Sequence, residues 1–501
     1  MFEKDWKFSW KRLLLRALIW TEKRRTSSIS QRQSKTPFLN REIHVPTYVV
    51  MFVSASAFFL VFLLKVGLFP DRVIALLLFV ILCTTVVVYY IRVAQPELIA
   101  DDESIMLIGC VTTAIILIMA SLKPWEQIGV PYMVPVAAAS MLIAILINMH
   151  LALILTIILA VSFGIINNFS FDHFFVGLVN GIAGAFSMLN VRVRKDITRA
   201  GFLRVIPFTV AAIIIMELFR GQNPFLKESI NLIFFGVLNG FIAVFIVLGT
   251  LPFLETYFSR TTNIRLLEIA DFNQPLLKRL MLEAPGTYHH SLVIASLAEQ
   301  AAELIGAHSL LCRVGAYYHD IGKMVKPEYF IENQMAMGNV HDDLMPSMSS
   351  LILISHVKEG IALAKEHSID NAVIDFIAMH HGTSRIHYFY HRALEQSPDS
   401  KIEDEDYRYP GPKPRTKETA IVMLADAIEA ASRSLQEPTH PRIKDLVGKI
   451  CNNKFIDGQF DECPITLSDL HAISETMVNN LASIYHARVE YPTDQKKEEA
   501  Q

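Results

Sequence analysis

The residues best suited to chemistry lie between Tyr288 and Asp426: Tyr288-His289-His290-Ser291, His319-Asp320, His356, His380-His381 and Asp426. Fourteen of the seventeen histidines fall in the C-terminal half, which concentrates attention there. Adjacent His-Asp and His-His pairs inside apolar runs pack poorly on a helix, yet they supply imidazole and carboxylate donors. If they converge, two metal ions can share one carboxylate, activate a water at neutral pH and stabilise in-line phosphoryl transfer. Such a donor set suits iron or manganese, and zinc less exclusively.

Spacing refines this picture. On a continuous helix, Lys323 lies four residues past His319 and three past Asp320, so the three share a face. A helix over Thr416–Leu435 carries Ala-Ile-Val-Met-Leu-Ala immediately before Asp426. A carboxylate there is costly to bury unless paired, and a metal ion would pair it. Arg433 lies seven residues further on the same face, with Glu429 between them. A phosphate contact and a Glu429–Arg433 ion pair stand as equal alternatives. Tyr388, Phe389 and Tyr390 offer faces for stacking on adenine, or serve as core. His387 and His391 read as an exposed helix face, and His341-Asp342 as a turn or as support for the site.

The elements that must position these residues fall into two classes. The chain has 501 residues with 52% hydrophobic content, too apolar for an ordinary soluble protein. Apolar runs near 47–66, 74–92, 104–121, 131–147, 150–167, 171–190, 201–218 and 229–250 approach the roughly 20 residues a spanning helix needs. The run at 171–190 is the weakest, with Asp172, His173, Asn180 and Asn190. Asp172 and Arg204 near span ends read as snorkelling charges. Residues 1–46 carry eleven Lys/Arg against four Asp/Glu, and Arg192 to Arg199 is also basic. With eight spans, both segments and everything after residue 250 fall on the cytoplasmic side. Trp6, Trp10, Leu13, Ala17 and Trp20 suit an interfacial helix or, equally, a disordered basic leader.

The expected fold class is all-α: a polytopic helical membrane domain over 47–250, then a cytoplasmic all-helical domain over 256–494, with a basic segment at 1–46 and a tail at 495–501. The five scattered cysteines exclude a disulfide framework and a zinc ribbon. A net charge of -3 offers no strongly basic surface, so no stable nucleic-acid partner is implied. The lipid bilayer is the expected partner, and homo-oligomerisation stays open.

Thr287-Tyr288-His289-His290-Ser291, His319-Asp320-x-Gly322-Lys323, His356, His380-His381-Gly382 and Asp426 resemble the HD-domain phosphohydrolases. More narrowly, Ala284-Pro285-Gly286-Thr287, Tyr317-Tyr318, Tyr409-Pro410-Gly411-Pro412-Lys413-Pro414 and Leu424-Ala425-Asp426 make the chain similar to the seven-transmembrane HD family of bacterial cyclic di-AMP phosphodiesterases, over roughly 74–490. The resemblance implies a cyclic dinucleotide substrate cleaved to linear pApA at the inner membrane. It implies that His290, His319, Asp320 and Asp426 hold one divalent ion. It further implies that Asp320 bridges to a second, held by His356, His380 and His381. Lys323 would face a substrate phosphate, with Arg433 and Tyr388 as further substrate contacts, and His289 is the neighbour of a ligand.

In one respect the chain departs from that family. Its members usually carry a sizeable extracellular domain after the first span, whereas here only about eight residues, Val66 to Val73, separate the first two spans. Other HD substrates stay as alternatives: guanosine tetraphosphate, a deoxynucleotide triphosphate, cyclic di-GMP or RNA ends. So does a receptor that binds nucleotide without cleaving it. The Gly-Tyr-Pro signature of cyclic di-GMP members does not follow His380-His381, which lowers that option.

Overall fold

The computed structural model describes residues 70–486, apart from 97, 99–100, 190, 335–338 and 397–401. The basic segment at 1–46 with its Trp6–Trp20 pattern, the apolar run at 47–66 and the tail from 495 lie outside the described residues. Every regular element among the described residues is helical, as the periodicity predicts.

The N-terminal half comprises α1 Pro70–Ala94, α2 Asp102–Leu122, α3 Val136–Leu146, α4 Met149–Ile166, α5 Phe171–Ser187, α6 Arg194–Phe219 and α7 Lys227–Tyr257. Helices α1, α2 with its 3-10 extension to Ile128, α4, α6 and α7 are long and apolar enough to cross a membrane. Helices α3 and α5 differ from the runs read at 131–147 and 171–190. At about 1.5 Å per residue, their 11 and 17 residues fall short of a hydrocarbon core of about 30 Å. The 3-10 turn Val130–Met133 and Pro135 delay the start of α3.

A closed polar network explains how these short helices are held. Asn180 accepts from the Ala137 amide at 2.7 Å and donates to Thr209 and Asn239 at 2.8 and 3.0 Å. Asn239 in turn donates to the carbonyls of Tyr132 and Val134 at 3.0 and 2.6 Å. Both asparagines are fully satisfied, which burial in an apolar setting demands. Close backbone approach supports the network: a Cβ at Gly184 would lie 2.9 Å from the Ala137 carbonyl oxygen. Asp172 does not snorkel as read above. It is buried and pairs with Arg220, because α5 starts beside the end of α6.

Helix α6 is not regular. Residues Gly201–Val205 form a π turn in which the Ile206 amide bonds the Gly201 carbonyl. Pro207 follows directly and has no N–H to offer, which favours the widened turn.

The C-terminal half comprises α8 Asn263–Ile269, α9 Pro275–Glu283, α10 Pro285–Leu304, α11 Ser309–Tyr318, α12 Pro346–Glu366, α13 Asn371–Met379, α14 His387–Gln396, α15 Lys417–Ser432, α16 His440–Ile456 and α17 Leu467–His486. Helix α15 is its axis. Ala420 through Ala425 and Ile428 are all fully buried, against Ile294, Ala298, Phe376, Val447 and Met477. A helix apolar all round belongs inside a core, and this one carries Asp426 there.

Ion pairs and caps join the two halves. Thr262 caps α8 through the Arg265 amide and donates its hydroxyl to Glu255 at the end of α7. Arg260 reaches Asp101 and Ser104 at the start of α2. Arg194 at the start of α6 donates to Glu268 at 2.7 Å. Within the C-terminal half, Arg265 ties α8 on by donating to Asp370 at 3.0 Å, immediately before α13.

Candidate metal centre

Four helices and one turn deliver the donors. Helix α10 carries His290 on its buried face, while His289 points outward. Helix α11 ends at Tyr318, so His319 caps it and Asp320 departs from helical geometry at φ -112° and ψ 15°. The continuous helix predicted through Lys323 is therefore corrected to a 3-10 turn over Ile321–Val325. The reason is close packing. A Cβ at Gly322 would lie 1.9 Å from the His356 carbonyl oxygen, so only glycine lets this turn touch α12. Helix α12 supplies His356, the end of α13 supplies His380 and His381, and α15 supplies Asp426.

Backbone carbonyls set the tautomers. A carbonyl can only accept, so His319 Nδ1 donates to Ala316 at 2.8 Å, and His380 Nδ1 donates to Phe376 and Ile377 at 3.0 Å each. His356 Nδ1 donates to Leu353. Each of these rings thus presents an Nε2 lone pair to Asp320. His319 Nε2 lies 3.2 Å from Oδ2, while His356 and His380 Nε2 lie 3.3 and 3.5 Å from Oδ1. His290 Nε2 lies 3.1 Å from Asp426 Oδ1 and 3.6 Å from Asp320 Oδ2. His381 Nδ1 is 3.6 Å from Asp426 Oδ2.

Two four-residue sets result, each with its donor atoms within 4.8 Å of one another: His290, His319, Asp320 and Asp426, then Asp320, His356, His380 and His381. Asp320 belongs to both. His319 Nε2 and Asp320 Oδ1 are buried without a hydrogen-bond partner, and Asp320 Oδ2 has the Lys323 ammonium at 2.7 Å. Unpaired buried acceptors are expensive, and lone pairs converging on one another repel; a cation relieves both. The residues present therefore fit divalent metal.

The electrostatics point the same way. Burial opposes ionisation of Asp320, but Lys323 and His319 hold it well below the usual carboxylate range. Burial likewise opposes ionisation of Asp426, and contact with His290 holds it far down. Burial lowers His356 to about 4, and burial with the neighbouring His380 keeps His381 lower than usual, so both stay neutral as ligands must. His290 differs: burial disfavours its charge, but Asp426 and Glu429 push it up to about 9. A cation on Nε2 would replace that proton.

Support beyond the donors was largely illegible in the sequence. Glu429 Oε2 accepts from His290 Nδ1 at 2.6 Å, while Oε1 accepts from Arg433 Nε at 2.8 Å. A carboxylate orienting a ligand histidine tunes both its direction and basicity. The available signal was its placement one turn beyond Asp426 in a buried helix. Of the two alternatives open for Arg433, the ion pair is the one formed.

Lys323 lies 2.7 Å from Asp320 Oδ2 and 2.8 Å from Glu332 Oε1, over the Phe330 ring at 5.1 Å from its centroid. Burial opposes its charge, but those carboxylates hold the ammonium above its ordinary range. Thr287 donates to Glu332 at 3.1 Å and its amide to Asn333 at 3.1 Å, tying the start of α10 to that segment. Tyr409 stacks on His381, with ring centroids 4.1 Å apart.

Other candidates lie elsewhere. Tyr388 is 62% exposed, and no bond or ring contact joins it to the donor set among the described residues. Phe389 is buried. His387 and His391 are exposed. His341 is buried and donates to the Tyr329 carbonyl at 2.8 Å.

Two family models match the chain: 7TM receptor with intracellular HD hydrolase over residues 71–262, and HD domain over 287–431. Cyclic-di-AMP phosphodiesterase PgpH of Bacillus subtilis (strain 168) is 38% identical over 433 residues, covering 84% of this chain and 60% of that protein. The protein of the same name from Listeria monocytogenes serotype 1/2a (strain 10403S) is 38% identical over 386 residues, covering 77% of this chain and 53% of its own. The chain thus spans less than two thirds of the length of these curated relatives. The solved HD domain of the L. monocytogenes phosphodiesterase PgpH in complex with cyclic-di-AMP is 48% identical. It covers 43% of this chain and 100% of its own, with a TM-score of 0.42.

Proposed function

Because the chain belongs to the family of 7TM receptors with an intracellular HD hydrolase, we propose that it is a membrane-anchored, metal-dependent phosphodiesterase that hydrolyses cyclic di-AMP to pApA. The observation that carries this reading is the pair of donor sets sharing Asp320, with unpartnered acceptors at their junction. Two divalent ions, manganese or iron, fit it better than one, since the seven residues form two sets that meet only at Asp320. When bound, they would supply charge to stabilise the transition state and lower the pKa of a water.

The residues around them have separate tasks. His290, His319, Asp320 and Asp426 would hold one ion, and Asp320, His356, His380 and His381 the other. Glu429 orients His290 and keeps its Nδ1 proton in place. Lys323 balances Asp320 and, by releasing Glu332, would meet a substrate phosphate. Arg433 would reach substrate through Nη1, since Glu429 engages Nε and Nη2. Tyr388 would stack on an adenine that extends beyond the donor set.

The catalytic half sits in the cytoplasm of a bacterial cell in this reading. The basic segment Arg192 to Arg199 adjoins it through Arg194, and excess basic charge marks the cytoplasmic face. The two relatives named cyclic-di-AMP phosphodiesterase support cyclic di-AMP for this chain.

The test uses purified full-length protein with manganese or iron(II) and cyclic di-AMP, with products separated by ion exchange. Conversion to pApA is expected, and His319→Ala with Asp320→Ala should be silent. Turnover retained in that folded double variant would sink the metal assignment. A tenfold higher kcat/KM, about 1.4 kcal/mol, for guanosine tetraphosphate, a deoxynucleotide triphosphate or cyclic di-GMP would move the substrate.

A further inference from the structure

A cavity of about 340 Å³ lies where α5 passes into α6. Phe186, Leu189 and Leu203 form an apolar wall, and Arg199, Arg204 and Asp196 bring charge to it. The wall is open to the surroundings, with Leu189 58% and Leu203 66% exposed. Arg194, in the same stretch as Arg199, bonds Glu268 of the catalytic half. The cavity therefore lies at the membrane face that adjoins that half.

One carboxylate faces two arginines there, which leaves the lining net positive. Asp196 turns its carboxylate to the amides of Arg192 and Val193 at 3.1 Å each, closing the loop before α6. Arg199 and Arg204 form no ion pair or hydrogen bond among the described residues. Five residues apart on a regular α-helix, they would point roughly 140° from one another. The π turn over Gly201–Val205 alters that register, and both line the one cavity. Widened turns of this kind recur at functional sites.

Two guanidinium groups beside an apolar wall select a ligand that is anionic at one end and apolar at the other. Each planar fork suits a phosphate oxygen pair, and the wall suits an acyl chain. Basic pockets between spans on the cytoplasmic side bind lipid headgroups on the same principle. We propose that this cavity binds the phosphate headgroup of an anionic phospholipid, with Arg199 and Arg204 as its contacts. The inference does not depend on the phosphodiesterase reading, because its readout is lipid retention.

Full-length protein in detergent would be titrated with phosphatidylglycerol or phosphatidylcholine and the bound lipid counted by native mass spectrometry. One phosphatidylglycerol should be retained in preference to phosphatidylcholine. Arg199→Gln with Arg204→Gln should weaken that retention by about tenfold or more, since both basic contacts to the anionic headgroup are lost. Both side chains are exposed and unpaired, so the variant loses no internal contact. Arg92→Gln removes a basic residue outside the cavity and should leave retention unchanged. Equal retention of both lipids, an unaffected double variant, or an equal loss with Arg92→Gln would each overturn the proposal. Displacement of the lipid by millimolar inorganic phosphate would assign the site to a soluble phosphoanion instead, and would overturn it too.

Discussion

Two buried polar clusters, one in each half of the molecule, are satisfied in opposite ways. In the membrane half, Asn180 and Asn239 satisfy every donor and acceptor they have within protein. In the C-terminal half, Asp320 Oδ1 and the Nε2 of His319 are equally buried and have no hydrogen-bond partner, while Asp320 Oδ2 has the Lys323 ammonium at 2.7 Å. The physical cost of burial is the same rule in both places. A network that closes on itself is structural; one that stays open at its centre is built around something else. The open centre therefore carries function, and the closed network fixes helices too short to span alone.

The contrast can be broken first at Asp320. Asp320→Ala removes a donor from both sets at once. Metal stabilisation of a phosphoryl transition state is worth several kcal/mol, so kcat/KM should fall on the order of 10³-fold or more. Metal content measured on the purified variant should fall with it. A variant that retains full metal and rate would make the open centre accidental.

Glu429→Gln tests whether orientation of a ligand matters. Loss of the carboxylate behind His290 should weaken metal affinity by about 10–100-fold while leaving the fold intact. Titration against a chelator reads this directly, and unchanged affinity would reduce Glu429 to the partner of Arg433.

The closed network should respond in the other currency, stability. Asn180→Leu strands the Ala137 amide and one face of Asn239, at a cost of about 1–3 kcal/mol. Thermal unfolding in detergent should show it, with metal content per folded molecule unchanged. Loss of metal instead would mean that the two halves are not separable.

The smallest effect sharpens the comparison at the junction. Arg194 and Glu268 are both partly exposed, so Arg194→Ala should cost no more than about 1 kcal/mol. A larger loss in the melting curve would show that this ion pair holds the halves together.

Much of the centre was legible because metal donors are a small set of side chains. His290, His319, Asp320, His356, His380, His381 and Asp426 were all identifiable by type and context, and all converge. The assignment of His290 over His289 agrees with their burial. The break after Tyr318 was not legible, because it depends on the α12 backbone passing Gly322. Nor was the clasp of Lys323 by Glu332, whose residues sit on a turn with no periodic signal. In the membrane half, apolar runs located the helices, but their true lengths depended on prolines and on Asn180 finding partners in α3, α6 and α7.

What the amino-acid order determined by itself was local: which segments are apolar enough for lipid, and which side chains have lone pairs for a metal. Hydrophobicity and donor type are properties of single residues and short windows, so one dimension suffices to read them. Tertiary structure decided which donors meet, since His290 and Asp426 are 136 positions apart. It also decided that the Asn180–Asn239 network closes on itself while the cluster around Asp320 keeps acceptors open at its centre. Such closure depends on distances of about 3 Å between distant segments, and no local pattern encodes them.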